Sequence, residues 1–409
     1  MSEDSTAPAR SDSGRFGFAT FALHLWTMVA LAVSNAALLL SIAAVPFALR
    51  GYLRAEIARL RRFSKTLNPL AFCVLVGLLS VAFSLDPEWS LPRAREMFGL
   101  VTLPLALFWV RDTERLRKVM DGVVIMAAAS ALWGLGQFLT GYGDLELRIR
   151  GPFSHYMTFA GVLLMANLVL LARFACRKPR INDWRWVACA VITAALLGSL
   201  TRSSWVALGG TLFVLVLLRR PKSALAWIPV AVVALALLAA PVRQRIVSIF
   251  DLQDPSNYDR LSMLDAGLEM ISERPFFGLG LGMPERLYPI YRPLAAPRRS
   301  VPHMHNTYLQ VAAEGGMIGL GAYLWLIGAS LLAGYRGYRR CLKALPRPGS
   351  KCFLELYLGS FLALIGFSLA GLFEANWLDT EVQRLALLFV ATPFILDAQE
   401  GRLGPRVGQ

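Results

Sequence analysis

The segment Pro302-His303-Met304-His305-Asn306 gathers the side chains best suited to proton transfer near neutral pH. His305 is the candidate general base, with Asn306 beside it to orient it or an acceptor group. The competing reading is a boundary histidine that only anchors a helix end. On an extended segment His303 points the other way and is the weaker candidate. His155, in Gly151-Pro152-Phe153-Ser154-His155, starts a span on the same face and is placed to touch substrate.

Arginines supply the complementary chemistry. Arg202, in Thr201-Arg202-Ser203-Ser204, sits between two spans with almost no loop. A charge held that close to an apolar layer calls for a partner, here an anion, unless the side chain merely snorkels. Arg148 and Arg150 stand just before Gly151-Pro152 as a second anion clamp. Arg260 either contacts ligand or pairs with Asp259 or Glu269, whereas Arg243, Arg245, Arg298 and Arg299 read as solvated or lipid-headgroup contacts. Glu374 and Asp379 flank the last outer loop and are placed to orient an arginine or a histidine. Asp86-Pro87-Glu88 is either a chance acidic pair or a metal-binding one, and the expectation is no metal.

These residues need a membrane scaffold. The 409-residue chain is 56% hydrophobic and 17% charged, with mean hydropathy +0.51, and apolar runs of bilayer-crossing length recur from Phe16 to Leu396. The runs lack period-two alternation, which excludes a strand-built protein. The reading is all-α and polytopic, with about twelve spans at 17–33, 34–50, 67–84, 94–110, 117–140, 152–175, 184–200, 203–218, 223–240, 306–334, 352–373 and 380–398.

The net charge of +15 is explained by the positive-inside rule, so no nucleic-acid partner is invoked. With the N-terminus inside, short basic loops (50–65, 111–118, 173–185, 219–222, 336–351) all fall on the cytoplasmic side. Both termini are then cytoplasmic and the segment from Pro241 to His305 is external. All six lysines fall inside, leaving arginine as every outer cation, which suits a phosphate-binding face.

The organisation is a tail at 1–16, one transmembrane domain at 17–398 that includes the outer loop 241–305, and a tail at 399–409. Within the loop, Leu261, Leu264, Leu268 and Ile271 recur at helical spacing and predict a helix over 259–273. The Gly-rich Phe276–Gly282 run lies on the membrane surface, lines a cavity mouth, or packs on neighbouring helices. Gly315, Gly316, Gly319, Gly321 and Gly328 are read as close-packing positions. The five cysteines are not placed to form a disulfide scaffold.

His305-Asn306 followed by Gly316-Met317-Ile318-Gly319 resembles the signature of bacterial O-antigen ligases. Similar too are the large outer loop before the last three spans, Arg202 at a tight outer turn, Arg150–Phe153 at a span start, and the Arg260 helix leading to Pro275–Gly280. Thr201 departs from the serine expected before Arg202. The motif is shared with O-antigen polymerases and protein O-oligosaccharyltransferases. The resemblance implies a membrane-embedded (GT-C type) glycosyltransferase fold in the bacterial inner membrane and metal-independent, inverting transfer without a cofactor. It further implies undecaprenyl-diphosphate-linked O-antigen as donor and lipid A-core as acceptor at the periplasmic face. His305 would then be the base, and Arg202 with Arg148, Arg150 and Arg260 would hold the diphosphate, supported by His303, Asn306, His155 and Glu374. A polymerase or a protein O-glycosylating transferase uses the same donor. A transporter is the rival from another class, and it is disfavoured because the ionisable residues lie near span ends.

Overall fold

The structure, a computed structural model, describes residues 34–49, 53–142, 147–177, 181–219, 251, 254–344 and 353–401. Every regular element among them is helical. In chain order these are α1 (Ser34–Leu49), α2 (Leu53–Arg61), α3 (Ser64–Ala82), α4 (Pro87–Arg93), a 3₁₀ helix (Ala94–Val101), α5 (Thr102–Trp109), α6 (Thr113–Leu139), α7 (Tyr156–Cys176), α8 (Trp184–Gly198), α9 (Arg202–Arg219), α10 (Pro255–Glu273), α11 (Met283–Tyr291), α12 (Thr307–Ala344), α13 (Leu354–Ala370) and α14 (Thr380–Gln399).

Among the described residues, five helices (α3, α6, α7, α9 and α12) are long and apolar enough to cross a bilayer, and α8 and α13 are shorter apolar helices. The described residues are all-helical, with several helices of the kind a polytopic membrane protein has. The expected spans 17–33 and 223–240, Arg243, Arg245 and the N-terminal tail lie outside the described residues. The run expected to be one span at 94–110 is two short pieces instead, the 3₁₀ helix and α5, with α4 just before them. Pro92 and Pro104 each remove a backbone donor, and Arg93, Arg95 and Glu96 interrupt the apolar face. Cys73, Cys176 and Cys189 are free as expected, but Cys341 is disulfide-bonded.

Helix α13 lies at the centre, packed against α7, α9, α12 and α14. Over the α12 N-terminus sits a second, smaller core formed by Met263, Ala266 and Met270 of α10, Leu279, Met283 and Tyr288, and Met304 and Leu309. The outer segment is thus a folded cap, with α10 close to its predicted bounds and α11 in addition.

A break in α12 joins the cap to the bundle. Gly316 adopts φ 67° and ψ −172°, so the helix is two pieces. The Phe276–Gly282 run packs into that break, which is the expected alternative of packing on neighbouring helices. Met317 N–H donates to Pro275 O at 2.7 Å, Leu279 N–H to Ala313 O at 2.9 Å, and Gly280 N–H to Glu314 O at 3.1 Å. Non-helical backbone inside a membrane-crossing helix is tolerated where protein satisfies its polar groups in this way. A Cβ at Gly316 would lie 2.1 Å from Phe276 O, and one at Gly278 would lie 2.3 Å from Glu314 O. Gly316 is therefore a conformational requirement first, rather than only a small residue for helix packing.

The Gly316→Ala variant should lose several degrees of melting temperature in detergent, since both φ and the backbone contact oppose a side chain. Gly321→Ala, where a Cβ would meet nothing within 4 Å, should melt at or slightly above the parent value. Equal melting of the two variants would show that the break tolerates a side chain.

Candidate functional site

The His segment is held from both sides. Met304 is buried in the cap core, and its N–H donates to Gln310 Oε1 at 2.8 Å. Asn306 Oδ1 accepts the N–H groups of Tyr308 and Leu309 at 2.9 and 3.0 Å, and its Nδ2 donates to Leu372 O at 3.1 Å. Asn306 is thus the N-cap of α12; its amide is spent on backbone and does not orient His305. His305 sits at φ 46°, a left-handed turn that is costly for a non-glycine residue. The turn corrects the extended-segment expectation for His303: the two rings lie on the same side, with centroids 4.2 Å apart.

Glu374 is buried and faces His305. It lies in the α13–α14 connection, which Thr307 pins by donating its hydroxyl to Glu374 O at 2.9 Å. The Glu374 carboxylate meets His305 Nδ1 at 3.4 Å and accepts from Arg260 at 3.3 Å and Ser203 Oγ at 3.2 Å. Burial alone would raise this carboxyl, but the hydrogen bond with His305 and the charges of His305 and Arg260 hold it below its ordinary value. With Nδ1–H of His305 given to Glu374, a neutral ring carries its free lone pair on Nε2.

The other side chains converge on one cavity of about 280 Å³, lined by Arg148, His155, Tyr156, Arg202, Asp259, Arg260, Arg298, His303, His305 and Glu374, among others. Arg202 opens α9 just after Leu200, whose φ of 52° makes the tight turn. Its side chain is buried and pairs with Asp254 at 3.1 Å, and Asp254 in turn caps α10 by accepting from Ser256 N–H at 3.0 Å. Arg260 pairs with Glu374 rather than with Asp259 or Glu269. Arg148 lies over the Tyr156 ring at 4.4 Å. His155 caps α7 through Nδ1, which accepts Met157 N–H at 3.3 Å, and burial lowers its pKa. Four arginines against two carboxylates make the lining net cationic, which suits a multiply charged anion.

The expectation for Arg150 changes, and those for Arg298 and Asp86 gain partners. Arg150 is exposed, donates to Ser154 O at 3.1 Å and does not line the cavity; it braces the turn before α7. Arg298 is exposed, as expected of a solvated side chain, and it also reaches the cavity and pairs with Asp259 at 3.1 Å. Asp86 caps α4 by accepting from Trp89 N–H at 3.0 Å and also pairs with Arg286, so both roles are structural. Sequence reading missed Asp259, Asp254, Ser203 and Tyr156 as site residues. Only their neighbours in sequence, Arg260, Arg202 and His155, pointed towards them.

Because the folded pKa of Glu374 is lowered, its contribution to stability is fully present above the ordinary carboxylate value of about 4.3 and is lost as pH falls through the folded value. The Glu374→Gln variant should flatten the acid limb of melting temperature against pH. An acid limb identical to that of the parent would show that the carboxylate is not held by its cations.

Residues 187–324, about a third of the chain, match a family model described as O-antigen ligase. The match contains Arg202, Asp259, Arg260, Arg298, His303 and His305, but neither Arg148, His155 nor Glu374. No curated protein sequence matches the chain. The chain thus carries an O-antigen ligase family region at residues 187–324, and that region holds the base candidate and three of the four cavity arginines.

Proposed function

We propose that this protein is an O-antigen ligase, transferring O-antigen glycan from undecaprenyl diphosphate to a sugar of lipid A-core. The carrying observation is His305 turned towards buried Glu374 at 3.4 Å in a cavity that also holds Arg148, Arg202, Arg260 and Arg298. A lone base would suit many reactions. A base beside a cationic pocket, in a membrane-embedded chain, suits attack on a lipid diphosphate. The short basic loops read as cytoplasmic support a cavity on the periplasmic face of the inner membrane, with both termini cytoplasmic.

In the proposed step, the acceptor hydroxyl gives its proton to His305 Nε2 as its oxygen bonds to the anomeric carbon. The bond from that carbon to the diphosphate oxygen breaks, and the electron pair leaves on undecaprenyl diphosphate. Attack from the face opposite the leaving group inverts the anomeric centre. Glu374 holds the imidazole and stabilises the imidazolium that forms. Arg202, Arg148 and Arg260 neutralise the charge that grows on the leaving diphosphate, the role a divalent ion plays in many sugar transferases. Arg150 takes no part in holding the diphosphate. Before substrate arrives, Arg202 and Arg260 are paired with Asp254 and Glu374, so donor binding exchanges carboxylate partners for phosphate oxygens.

In a ligase-deficient host, the protein should restore a lipopolysaccharide ladder. His305→Ala at equal protein level should leave core alone while lipid-linked polymer accumulates, a loss of at least about 100-fold. A full ladder from His305→Ala would remove the base. If instead lipid-linked glycan lengthens beyond one repeat only when the protein is supplied to a polymerase-deficient host, the enzyme is a polymerase. Transfer should also persist in EDTA; loss restored by magnesium would put a metal in place of the arginines.

A further inference from the structure

His303 and Asp259 line the same cavity yet have no part in proton removal or in holding the diphosphate. His303 Nδ1 accepts the backbone N–H of His305 at 3.2 Å. An acceptor nitrogen carries no proton, so a neutral His303 must hold its hydrogen on Nε2. Burial, reinforced by the neighbouring charge of His305, brings the His303 pKa down to about 4, so the ring is neutral at physiological pH. His303 is therefore a fixed donor through Nε2, whereas His305, with Nδ1 turned to Glu374, presents an acceptor there.

Asp259 supplies the opposite polarity. It is 5% exposed, and its Oδ2 pairs with Arg298 at 3.1 Å. Its Oδ1 is buried without a hydrogen-bond partner. Asp259 lines the cavity, and an unmet carboxylate oxygen is costly unless a ligand meets it. A donor and an acceptor beside a base match sugar hydroxyls, each of which both donates and accepts. A diphosphate offers only acceptors and would be repelled by Asp259.

We propose that His303 and Asp259 form the subsite for the acceptor sugar, with His303 Nε2–H donating to one ring hydroxyl and Asp259 Oδ1 accepting from another, so that a neighbouring hydroxyl faces His305. The assignment to acceptor rather than donor rests on the ligase reading and on the 4.2 Å separation of the His303 and His305 rings. His303 holds substrate by this account and moves no proton.

The test uses purified full-length protein with lipid-linked donor and lipid A-core acceptor, each varied separately, for the unaltered enzyme and for His303→Ala, His303→Gln, Asp259→Ala and Asp259→Asn. The two alanine variants should raise the acceptor KM about tenfold while the donor KM stays within about twofold. His303→Gln retains an N–H donor, and Asp259→Asn retains an acceptor oxygen. Both should recover most of the acceptor KM, and His303→Gln should keep the parent pH–rate profile. An unchanged acceptor KM in His303→Ala and Asp259→Ala would overturn the subsite. So would His303→Gln losing kcat as fully as His305→Ala with a shifted pH profile, which would make His303 a proton carrier. If the unaltered enzyme transfers glycan but His305→Ala does too, the base assignment fails independently of the subsite. No transfer by the unaltered enzyme to any sugar acceptor would overturn both.

Discussion

Glu374 is a carboxylate taken almost wholly out of water. Such a group survives only if cations and donors replace its hydration. Here the replacements are His305, Arg260 and Ser203, contributed by the segment before α12, the cap helix α10 and the N-terminal turn of α9. One buried charge thus forces three otherwise distant stretches to meet. The same requirement fixes chemistry. It turns His305 so that Nδ1 faces the carboxylate and Nε2 is left for substrate, and it brings Arg260 to the cavity wall. Arg202, next to Ser203, arrives with the same turn and needs Asp254 for its own charge.

A hydrogen-bond chain supports this arrangement from behind. Gly282 N–H donates to Glu314 Oε1 at 3.0 Å, the same oxygen accepts from Gln310 Nε2 at 2.8 Å, and Gln310 Oε1 accepts from Met304 N–H at 2.8 Å. The run that fills the Gly316 break is therefore linked, through two side chains one helical turn apart, to the residue before His305. That linkage, together with the buried Met304 side chain, holds the left-handed turn at His305, which costs of order 1–3 kcal/mol for such a residue. Strain held by surrounding structure keeps both histidine rings in the cavity before substrate arrives.

Much of the scaffold was legible in sequence because long apolar runs and a heptad-like leucine spacing carry a strong periodic signal. The helices from Ser64, Thr113, Tyr156, Arg202 and Thr307 begin within a few residues of their expected positions. The stretch from Ala94 to Trp109 was read as one uniform span because hydropathy averages over prolines and charges that act one residue at a time. Within the site, His305 and Arg202 stood out by residue type and by their place at span ends. His303 was misjudged because alternation assumes an extended backbone, and no local pattern signals φ 46° at His305. Asn306 was misassigned because an amide before a helix is equally a cap. Arg298 and Asp259 could not be paired in advance, since 39 residues separate them in sequence and only the folded cap brings them together.

The account turns on His305 Nε2 as the atom that receives the acceptor proton. The His305→Gly variant tests this most directly, because glycine adopts the left-handed backbone at that position without strain and leaves space in the cavity for added imidazole. Glycan transfer from lipid-linked donor to lipid A-core would be measured across an imidazole series. The expected result is loss of transfer in His305→Gly and a concentration-dependent recovery with imidazole that the unaltered enzyme does not show. Transfer by His305→Gly at the parent rate without imidazole would contradict it.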